Sequence, residues 1–364
     1  MNITAAVLRE PGGPFTLERL ELAGPRPDEV IVRMIAGGVC HTDLVTADAG
    51  PPGGTPLVLG HEGAGIVETT GSSVTSIEPG DHVVLSYAWC GLCRNCGRGL
   101  MAYCSRFLAL NYVGTRVDGS SAMSRDGHQV NGHFFGQSSW AGHTVTTERN
   151  VVRVPGDLPL EFLAPLGCGV QTGAGTVLNV LQPEPGSSIA VFGCGAVGLS
   201  AIMAAKIAGC GRIVAVDPNP RRRDLAVELG ATDAVDPAAG DPAAAIRTLT
   251  GGVDHSVECV GLPAVVQAAV GCLAAPGTCV TVGFRGLANP VELDQVRLMT
   301  GRGIRGSIEG DAIPQRFIPQ LAGYYRTGRL PLERLVRTYA FDQINEAVRA
   351  SRDGEVVKPV LVFP

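Results

Sequence analysis

The chain has 364 residues, of which 45% are hydrophobic and 17% charged, and its formal net charge is −5. This length suits two domains with packed cores, and an acidic balance without a basic face disfavours a nucleic-acid partner. No apolar run approaches the roughly 20 residues that a transmembrane helix needs, and the segment MNITAAVLREPGG lacks the charged and apolar regions of a signal peptide. We therefore expect a cytoplasmic protein without a membrane partner, in which the 11 cysteines stay reduced and clustered cysteines are metal ligands.

The first part of the chain, from Ile3 to about Val154, breaks into short runs separated by Gly and Pro. Segments such as EVIVRMIAGGVC, GAGIVETTG and GDHVVLSYA combine β-branched residues with glycine boundaries, which is typical of strands. Helical periodicity is weak here. The pattern predicts an irregular, mostly β domain.

Cys40, His61 and Cys168 could together form a metal site with a free coordination position. Two thiolates and one imidazole leave a fourth position for water or substrate, as catalytic zinc sites require. Glu62 follows the histidine directly. An isolated cysteine or histidine is more often a core or surface residue than a ligand, so the residues alone leave both interpretations open.

A second cysteine group lies within one short segment: Cys90, Cys93, Cys96 and Cys104. Its spacing matches a tetrahedral sulfur shell for zinc, with an iron–sulfur cluster as the main alternative. Since four sulfurs leave no open position for a substrate, the predicted role is structural. The five remaining cysteines, all in the second part of the chain, are interpreted as small buried hydrophobic residues.

The second part of the chain alternates short apolar runs with Ala-rich helical segments, which predicts βαβ units and a parallel sheet. Within it, VFGCGAVGLS places Gly193, Gly195 and Gly198 in G-x-G-x-x-G spacing after a predicted strand and before a predicted helix. Such glycines let backbone N–H groups approach a pyrophosphate at a helix N-terminus. The context predicts a dinucleotide site.

Asp217 ends the next predicted strand, at the distance where an acid meets a ribose. Its carboxylate would accept the ribose hydroxyls and repel a 2′-phosphate, which favours NAD over NADP. Three arginines follow closely, at positions 221–223, and one of them could engage a phosphate instead.

Several motifs together resemble the zinc-dependent medium-chain alcohol dehydrogenases, and most closely the aryl (benzyl-type) branch. GVCHTD, GHEGAG, GDHVV, the four-cysteine segment, GCGVQTGAG and GCGAVG occur in the family's order, end to end along the chain. The resemblance implies an α/β fold with a GroES-like β-rich catalytic domain and a doubly wound parallel-sheet Rossmann domain. The catalytic domain would comprise residues 1–167 and 309–364, with a structural-zinc lobe at about 89–105. Residues 168–308 would form the Rossmann NAD-binding domain.

The resemblance also implies roles for individual residues. Cys40, His61 and Cys168 would hold the catalytic zinc, with Glu62 as a neighbour and occasional fourth ligand. Asp43 would orient the histidine ligand, Thr42 would accept the alcohol proton, and His41 would lie at the pyrophosphate and also pass protons. The remaining positions are implied to contact the cofactor or to form the wall of the substrate pocket: Thr172 and Val197 at the nicotinamide, Arg222 and Lys358 at the ribose and phosphates, and Phe284 and Ile308 in the pocket wall.

The implied reaction is the interconversion of a primary aromatic or allylic alcohol and its aldehyde, with NAD and two zinc ions per chain, in a homo-oligomer (dimer or tetramer). Val45 departs from the many relatives that have a histidine there as the solvent end of the proton relay, so the relay must leave through His41, through water, or not at all. Three alternatives stay open at this point: oxidation of a thiol adduct of formaldehyde, reduction of a pathway-specific aldehyde or activated alkene, and a metal-dependent binding protein with a vestigial nucleotide fold.

Overall fold

The structure is a computed structural model that describes residues 1–286 and 288–364. The strands, numbered in chain order, are β1 (Asn2–Leu8), β2 (Phe15–Leu22), β3 (Glu29–Gly38), β4 (Leu57–Val58), β5 (Gly63–Thr70), β6 (His82–Leu85), β7 (Met123–Arg125), β8 (His128–Val130), β9 (His143–Thr147), β10 (Val151–Arg153), β11 (Ser188–Phe192), β12 (Arg212–Val216), β13 (Asp233–Val235), β14 (Val253–Glu258), β15 (Leu273–Thr281), β16 (Arg302–Gly306), β17 (Val336–Ala340) and β18 (Lys358–Val362). The α-helices are α1 (His41–Ala49), α2 (Arg94–Gly97), α3 (Phe107–Tyr112), α4 (Leu160–Leu163), α5 (Gly169–Gly175), α6 (Ala196–Ala208), α7 (Pro220–Leu229), α8 (Pro242–Thr250), α9 (Pro263–Gly271), α10 (Gln295–Met299), α11 (Pro314–Arg326) and α12 (Ile344–Arg352).

The chain divides into two compact units. The first comprises Met1–Cys168, Ile313–Gly328 and Leu332–Pro364, and the second comprises Gly169–Ala312 and Arg329–Pro331. The sequence predicted a similar division, into residues 1–167 with 309–364 and residues 168–308.

The first unit is built on two sheets. One has the strand order β4-β1-β2-β7-β8, and the other has the order β10-β6-β5-β3-β18-β17, with β9 paired to β3. The predicted strand segments are confirmed as β3, β5 and β6. The long strand β3 is almost entirely buried, because β5, β9 and β18 pair with it. This strand ends at Gly38, two residues before Cys40, and so fixes the start of the metal-ligand segment.

The second unit is built on a parallel sheet, as predicted. Its order, β13-β12-β11-β14-β15-β16, is the doubly wound arrangement 3-2-1-4-5-6 of dinucleotide-binding folds. Four of the five residues of β11 are fully buried, as expected for a strand covered on both faces. The order reverses at β11, and ligands of such sheets bind beyond the carboxyl end of the strand at that point. The Gly193 motif follows β11 directly.

The predicted fold class is therefore confirmed. Among the described residues, none of the helices has both the length and the apolar character to span a bilayer.

Candidate functional site

Cys40, His61 and Cys168 come together in the first unit. Their ligand atoms all lie within 4.8 Å of one another, although the residues belong to three separate loops. Cys40 precedes α1, His61 precedes β5, and Cys168 follows the short turn Ala164–Gly167. Nε2 of His61 is buried and has no hydrogen-bond partner among the described residues. A metal ion bound by the two sulfurs would satisfy this nitrogen, so the donor set fits a zinc ion that keeps one position open.

Asp43 orients this group. The carboxylate, fully buried, accepts hydrogen bonds from the backbone N–H of Cys40 (3.0 Å) and of Gly60 (3.1 Å). It also lies 2.8 Å from Nδ1 of His61. With the Nδ1 proton donated to Asp43, the lone pair of Nε2 is directed at the sulfurs, which is how a carboxylate usually supports a histidine ligand.

The charges of the ligand group favour a bound cation. A hydrogen bond from Cys168, with the nearby Lys358 and His61, holds the pKa of the Cys40 thiol well below its usual value. Burial alone would lower the pKa of His61, but the Asp43 carboxylate and the Cys40 sulfur outweigh burial and raise it. Cys40 therefore has the thiolate character that a metal ligand needs.

Glu62 and Lys358 form a buried ion pair beside this group. Nζ of Lys358 lies 3.0 Å from Oε1 and 2.8 Å from Oε2 of Glu62, and it donates to the carbonyl of Val39 at 3.1 Å. Lys358 is 3% exposed and Glu62 is fully buried. A Cβ at Gly38 would lie 2.1 Å from the Glu62 carboxylate, so only glycine fits there. The predicted contact of Lys358 with a cofactor stays a prediction, as does the role of Glu62 as an occasional ligand.

Three residues that the sequence reasoning missed pack around His61. The Phe135 ring lies with its centroid 4.5 Å from that of the imidazole, and the Phe134 ring lies at 5.7 Å. Gln137 donates to the carbonyl of His61 (3.0 Å) and accepts from the N–H of Gly63 (3.1 Å). The two adjacent phenylalanines of the unusual segment GHFFGQ were the available sequence signal. The two rings pack against the imidazole, and Gln137 holds the backbone of His61.

The predicted proton-handling residues lie at the start of α1. His41 is exposed and Thr42 is half-buried. Val45 lies one turn after His41, on the same side of the helix, because residues four apart share a face. An apolar side chain therefore follows His41 on this face, and a relay through position 45 is chemically impossible.

The four cysteines at 90, 93, 96 and 104 also come together, with all four sulfurs within 4.8 Å of one another. The Sγ–Sγ distances are 3.9 Å from Cys90 to Cys96 and 3.5 Å from Cys93 to Cys96. Zinc–sulfur bonds of about 2.3 Å in a tetrahedron give sulfur separations of about 3.8 Å. The N–H groups of Cys90 and Arg106 both point at the Cys104 sulfur, at 3.4 Å each. This set therefore fits a zinc ion with a closed shell.

The glycine motif of the second unit has the shape that a pyrophosphate needs. A Cβ at Gly198 would lie 1.8 Å from the Gly193 carbonyl oxygen, whereas a Cβ at Gly195 would meet nothing within 4 Å. Gly193 has a left-handed φ of 90°. Gly195 is the N-cap residue of α6 and provides no side-chain cap, so the first N–H groups of that helix are available to a ligand.

Asp217 lies directly after β12, and its carboxylate binds the backbone of the glycine turn. Its carboxylate accepts from the N–H of Cys194 (2.8 Å) and from the N–H of Asn219 (2.8 Å), and the residue is 4% exposed. Oxygen lone pairs remain for a ribose, and that contact stays a prediction. Arg222 lies in the first turn of α7, and its buried Nε has no hydrogen-bond partner among the described residues, which fits a bound nucleotide.

The predicted nicotinamide residues lie at the contact between α5 and α6. A Cβ at Gly173 would lie 2.0 Å from the Val197 carbonyl oxygen, so Thr172 and Val197 are close neighbours in the second unit. Of the predicted pocket residues, Phe284 is half-buried and Ile308 is 39% exposed.

Comparison with known proteins gives a consistent result over the whole chain. Residues 26–156 match the alcohol dehydrogenase GroES-like domain family, and residues 196–322 match the zinc-binding dehydrogenase family. The geraniol dehydrogenase of Castellaniella defragrans is 49% identical over 367 residues, which is 100% of this chain and 98% of that protein.

Two further relatives extend the comparison. The crystal structure of benzyl alcohol dehydrogenase from Acinetobacter calcoaceticus superposes with a TM-score of 0.97 at 43% identity and covers 100% of both chains. An S-(hydroxymethyl)glutathione dehydrogenase of Escherichia coli is 36% identical over 370 residues, with 100% of both chains covered.

Proposed function

The chain belongs to the zinc-binding medium-chain alcohol dehydrogenase family, and we propose that it interconverts primary aromatic or allylic alcohols and their aldehydes with NAD. Its activity as a zinc-dependent alcohol dehydrogenase follows from the family. The substrate class rests on the geraniol and benzyl alcohol dehydrogenases, which match this chain over its full length at 49% and 43% identity. The observation that carries the chemistry is the convergence of Cys40, His61 and Cys168 with an unsatisfied His61 Nε2.

The catalytic residues of the first unit would have different roles around a zinc ion. Cys40, His61 and Cys168 would hold the ion, which supplies Lewis-acid stabilisation for a hydroxyl oxygen that loses its proton. Asp43 keeps the Nδ1 proton of His61 in place, so that Nε2 stays an electron-pair donor. Cys90, Cys93, Cys96 and Cys104 would hold a second zinc ion with a structural role.

Thr42 would take the hydroxyl proton of the substrate at its Oγ1. His41, one residue earlier and exposed, would pass the proton to water, because Val45 offers no proton-carrying group on that face of α1. The proposed relay is therefore shorter than one that continues through position 45.

The cofactor would bind at the glycine motif of the second unit. Gly193, Gly195 and Gly198 would admit the pyrophosphate to the N-terminus of α6, and Asp217 would accept the adenosine ribose hydroxyls. Arg222 and Lys358 are proposed as further ribose and phosphate contacts, and Thr172 and Val197 as contacts of the nicotinamide. Bound NAD accepts the hydride. A carboxylate at position 217 disfavours the extra phosphate of NADP.

The substrate class is tested by measuring NADH formation by the zinc-replete protein with benzyl, cinnamyl and geranyl alcohols, ethanol, and formaldehyde with added thiols. We expect preferential turnover of the aryl and allylic alcohols, with Phe284 and Ile308 in the pocket wall. The Cys40→Ser variant is the matched control, and it should lose turnover and keep NADH binding. Thiol-dependent formaldehyde oxidation as the main activity would instead favour the chemistry of the S-(hydroxymethyl)glutathione relative.

Localisation and assembly are proposed from the cysteines and from one edge of the parallel sheet. None of the 11 cysteines forms a disulfide among the described residues, which supports a reducing, cytoplasmic environment. The edge strand β16 and the exposed side chains of Val296 and Met299 on α10 support a homo-oligomer, because exposed apolar residues beside the edge of a sheet favour association. Sedimentation of the purified chain tests the assembly.

A further inference from the structure

The turn that contains Ile308 has an unusual backbone. Glu309, Gly310 and Asp311 have consecutive left-handed φ values of 52°, 64° and 50°. Residues with a side chain rarely adopt this conformation, and it persists where the surroundings impose it, often at functional sites. What imposes it here is the contact of the turn with α5.

Glu309 belongs to the second unit and binds α5 with its carboxylate. Oε2 accepts from Nε2 of Gln171 at 2.9 Å and from Oγ1 of Thr172 at 3.4 Å, and the residue is 6% exposed. A Cβ at Gly310 would lie 2.4 Å from the Gln171 carbonyl oxygen, so the turn is packed directly on the helix backbone. The buried carboxylate is thus held at Thr172.

Thr172 lies beside the dinucleotide site. The next residue, Gly173, approaches the Val197 carbonyl so closely that a Cβ would lie 2.0 Å from its oxygen. Val197 is the second residue of α6, whose N-cap is Gly195. Through Thr172, the Glu309 carboxylate therefore lies next to the helix terminus where a cofactor would bind.

An ionised Glu309 carboxylate would act differently on the two ends of a nicotinamide cofactor. It repels the pyrophosphate in the oxidised and the reduced cofactor alike. It attracts the oxidised nicotinamide ring, which carries a positive charge, and has no such effect on the neutral reduced ring. In a poorly solvated site such an interaction is strong.

We propose that Glu309 is a specificity residue that stabilises the cationic, oxidised nicotinamide relative to the neutral, reduced ring. The inference rests on the proposed cofactor site. It concerns cofactor binding in the absence of any alcohol, so it is separable from the identity of the substrate.

The first test uses the unmodified chain. The dissociation constants of NAD⁺ and of benzamide adenine dinucleotide, in which a neutral aromatic ring replaces the cationic one, are measured by calorimetry. We expect NAD⁺ to bind at least about tenfold more tightly, since a tenfold ratio needs only a weak ion pair in a buried site. Equal affinities would overturn the proposal.

The second test assigns the effect to Glu309. In Glu309→Gln, which keeps acceptor and shape without the charge, the ratio of the NAD⁺ and NADH dissociation constants should rise about tenfold. Asp311→Asn is the control, because Asp311 belongs to the same turn and binds Ser307 and Arg305, at 2.8 Å each. In this variant the ratio should not change.

The outcomes separate the two proposals. Equal weakening of NAD⁺ and NADH in Glu309→Gln would mean a merely structural role and would refute the inference. Failure of the unmodified chain to bind either dinucleotide would refute the proposed cofactor site itself. If Glu309→Gln does not fold, the comparison of NAD⁺ with its neutral analogue still decides.

Discussion

The ion pair of Lys358 and Glu62 lies inside the first unit. We expect the removal of either partner alone to destabilise the folded state of this unit strongly. At the Nζ–Oε distances of 3.0 and 2.8 Å, the Coulomb attraction is about 6 kcal/mol at an effective dielectric constant of about 20. Desolvation of both ions cancels much of this attraction. Lys358→Met removes the ammonium from a fully buried carboxylate, and such a change usually costs about 3–5 kcal/mol.

Urea unfolding monitored by tryptophan fluorescence measures this cost, because Trp89 and Trp140 both belong to the first unit. The double variant Lys358→Met with Glu62→Gln removes both charges, so it should be more stable than the sum of the single effects by at least about 2 kcal/mol. Lys206→Met is the matched control, since Lys206 is exposed and is the other lysine of the sequence. A cost below about 1 kcal/mol for Lys358→Met, or strictly additive effects, would refute the reasoning.

Three further predictions concern other parts of the chain. Cys93→Ser should release one of the two zinc ions and lower the melting temperature before it lowers turnover. Cys210→Ser is the control, because Cys210 lies outside both cysteine clusters, and it should bind the normal amount of zinc. Metal analysis and calorimetry measure these two quantities. Gly198→Ala should abolish NADH binding in a fluorescence titration, because its Cβ would lie 1.8 Å from the Gly193 carbonyl oxygen. Burial, helped by Arg116, lowers the pKa of His133 to about 4, so the unfolded chain binds more protons between about pH 6.5 and pH 4. Stability should fall by about 3 kcal/mol as the pH drops through that range, and His133→Gln should flatten the profile of melting temperature against pH.

The sequence predicted those parts of the site in which chemistry and spacing coincide within a short segment. Cys90 to Cys104 and Gly193 to Gly198 are each encoded within 15 residues or fewer, and the local chain geometry brings their functional atoms together. The role of Asp43 was implied by the resemblance of the GVCHTD motif to the family. The helix that was predicted after the glycine motif begins at Ala196, because Gly195 serves as the helix boundary.

The contacts that could not be predicted join distant segments. Glu62 and Lys358 are 296 residues apart, and Gln171 and Glu309 are 138 apart. Neither pair has a spacing that a local motif could reveal, since the first depends on the pairing of β18 with β3 and the second on the packing of a turn on α5. The binding of the Lys358 ammonium to Glu62 was not expected from the sequence, and its predicted contact with a cofactor stays a prediction.

In the turn at 309–311, the cost of a left-handed backbone can be compared with the hydrogen bonds that the acidic side chain of Glu309 makes. A left-handed backbone costs about 1–2 kcal/mol for a residue with a side chain, and Glu309 and Asp311 both have it. Hydrogen bonds to a charged group contribute about 1.5–3 kcal/mol, so the contacts of Glu309 with Gln171 and Thr172 are sufficient to offset its own strain. Glutamine at position 309 can accept the same two hydrogen bonds, each then worth about 1 kcal/mol. The turn should therefore keep its shape in Glu309→Gln, and a changed preference between NAD⁺ and NADH would report the missing charge.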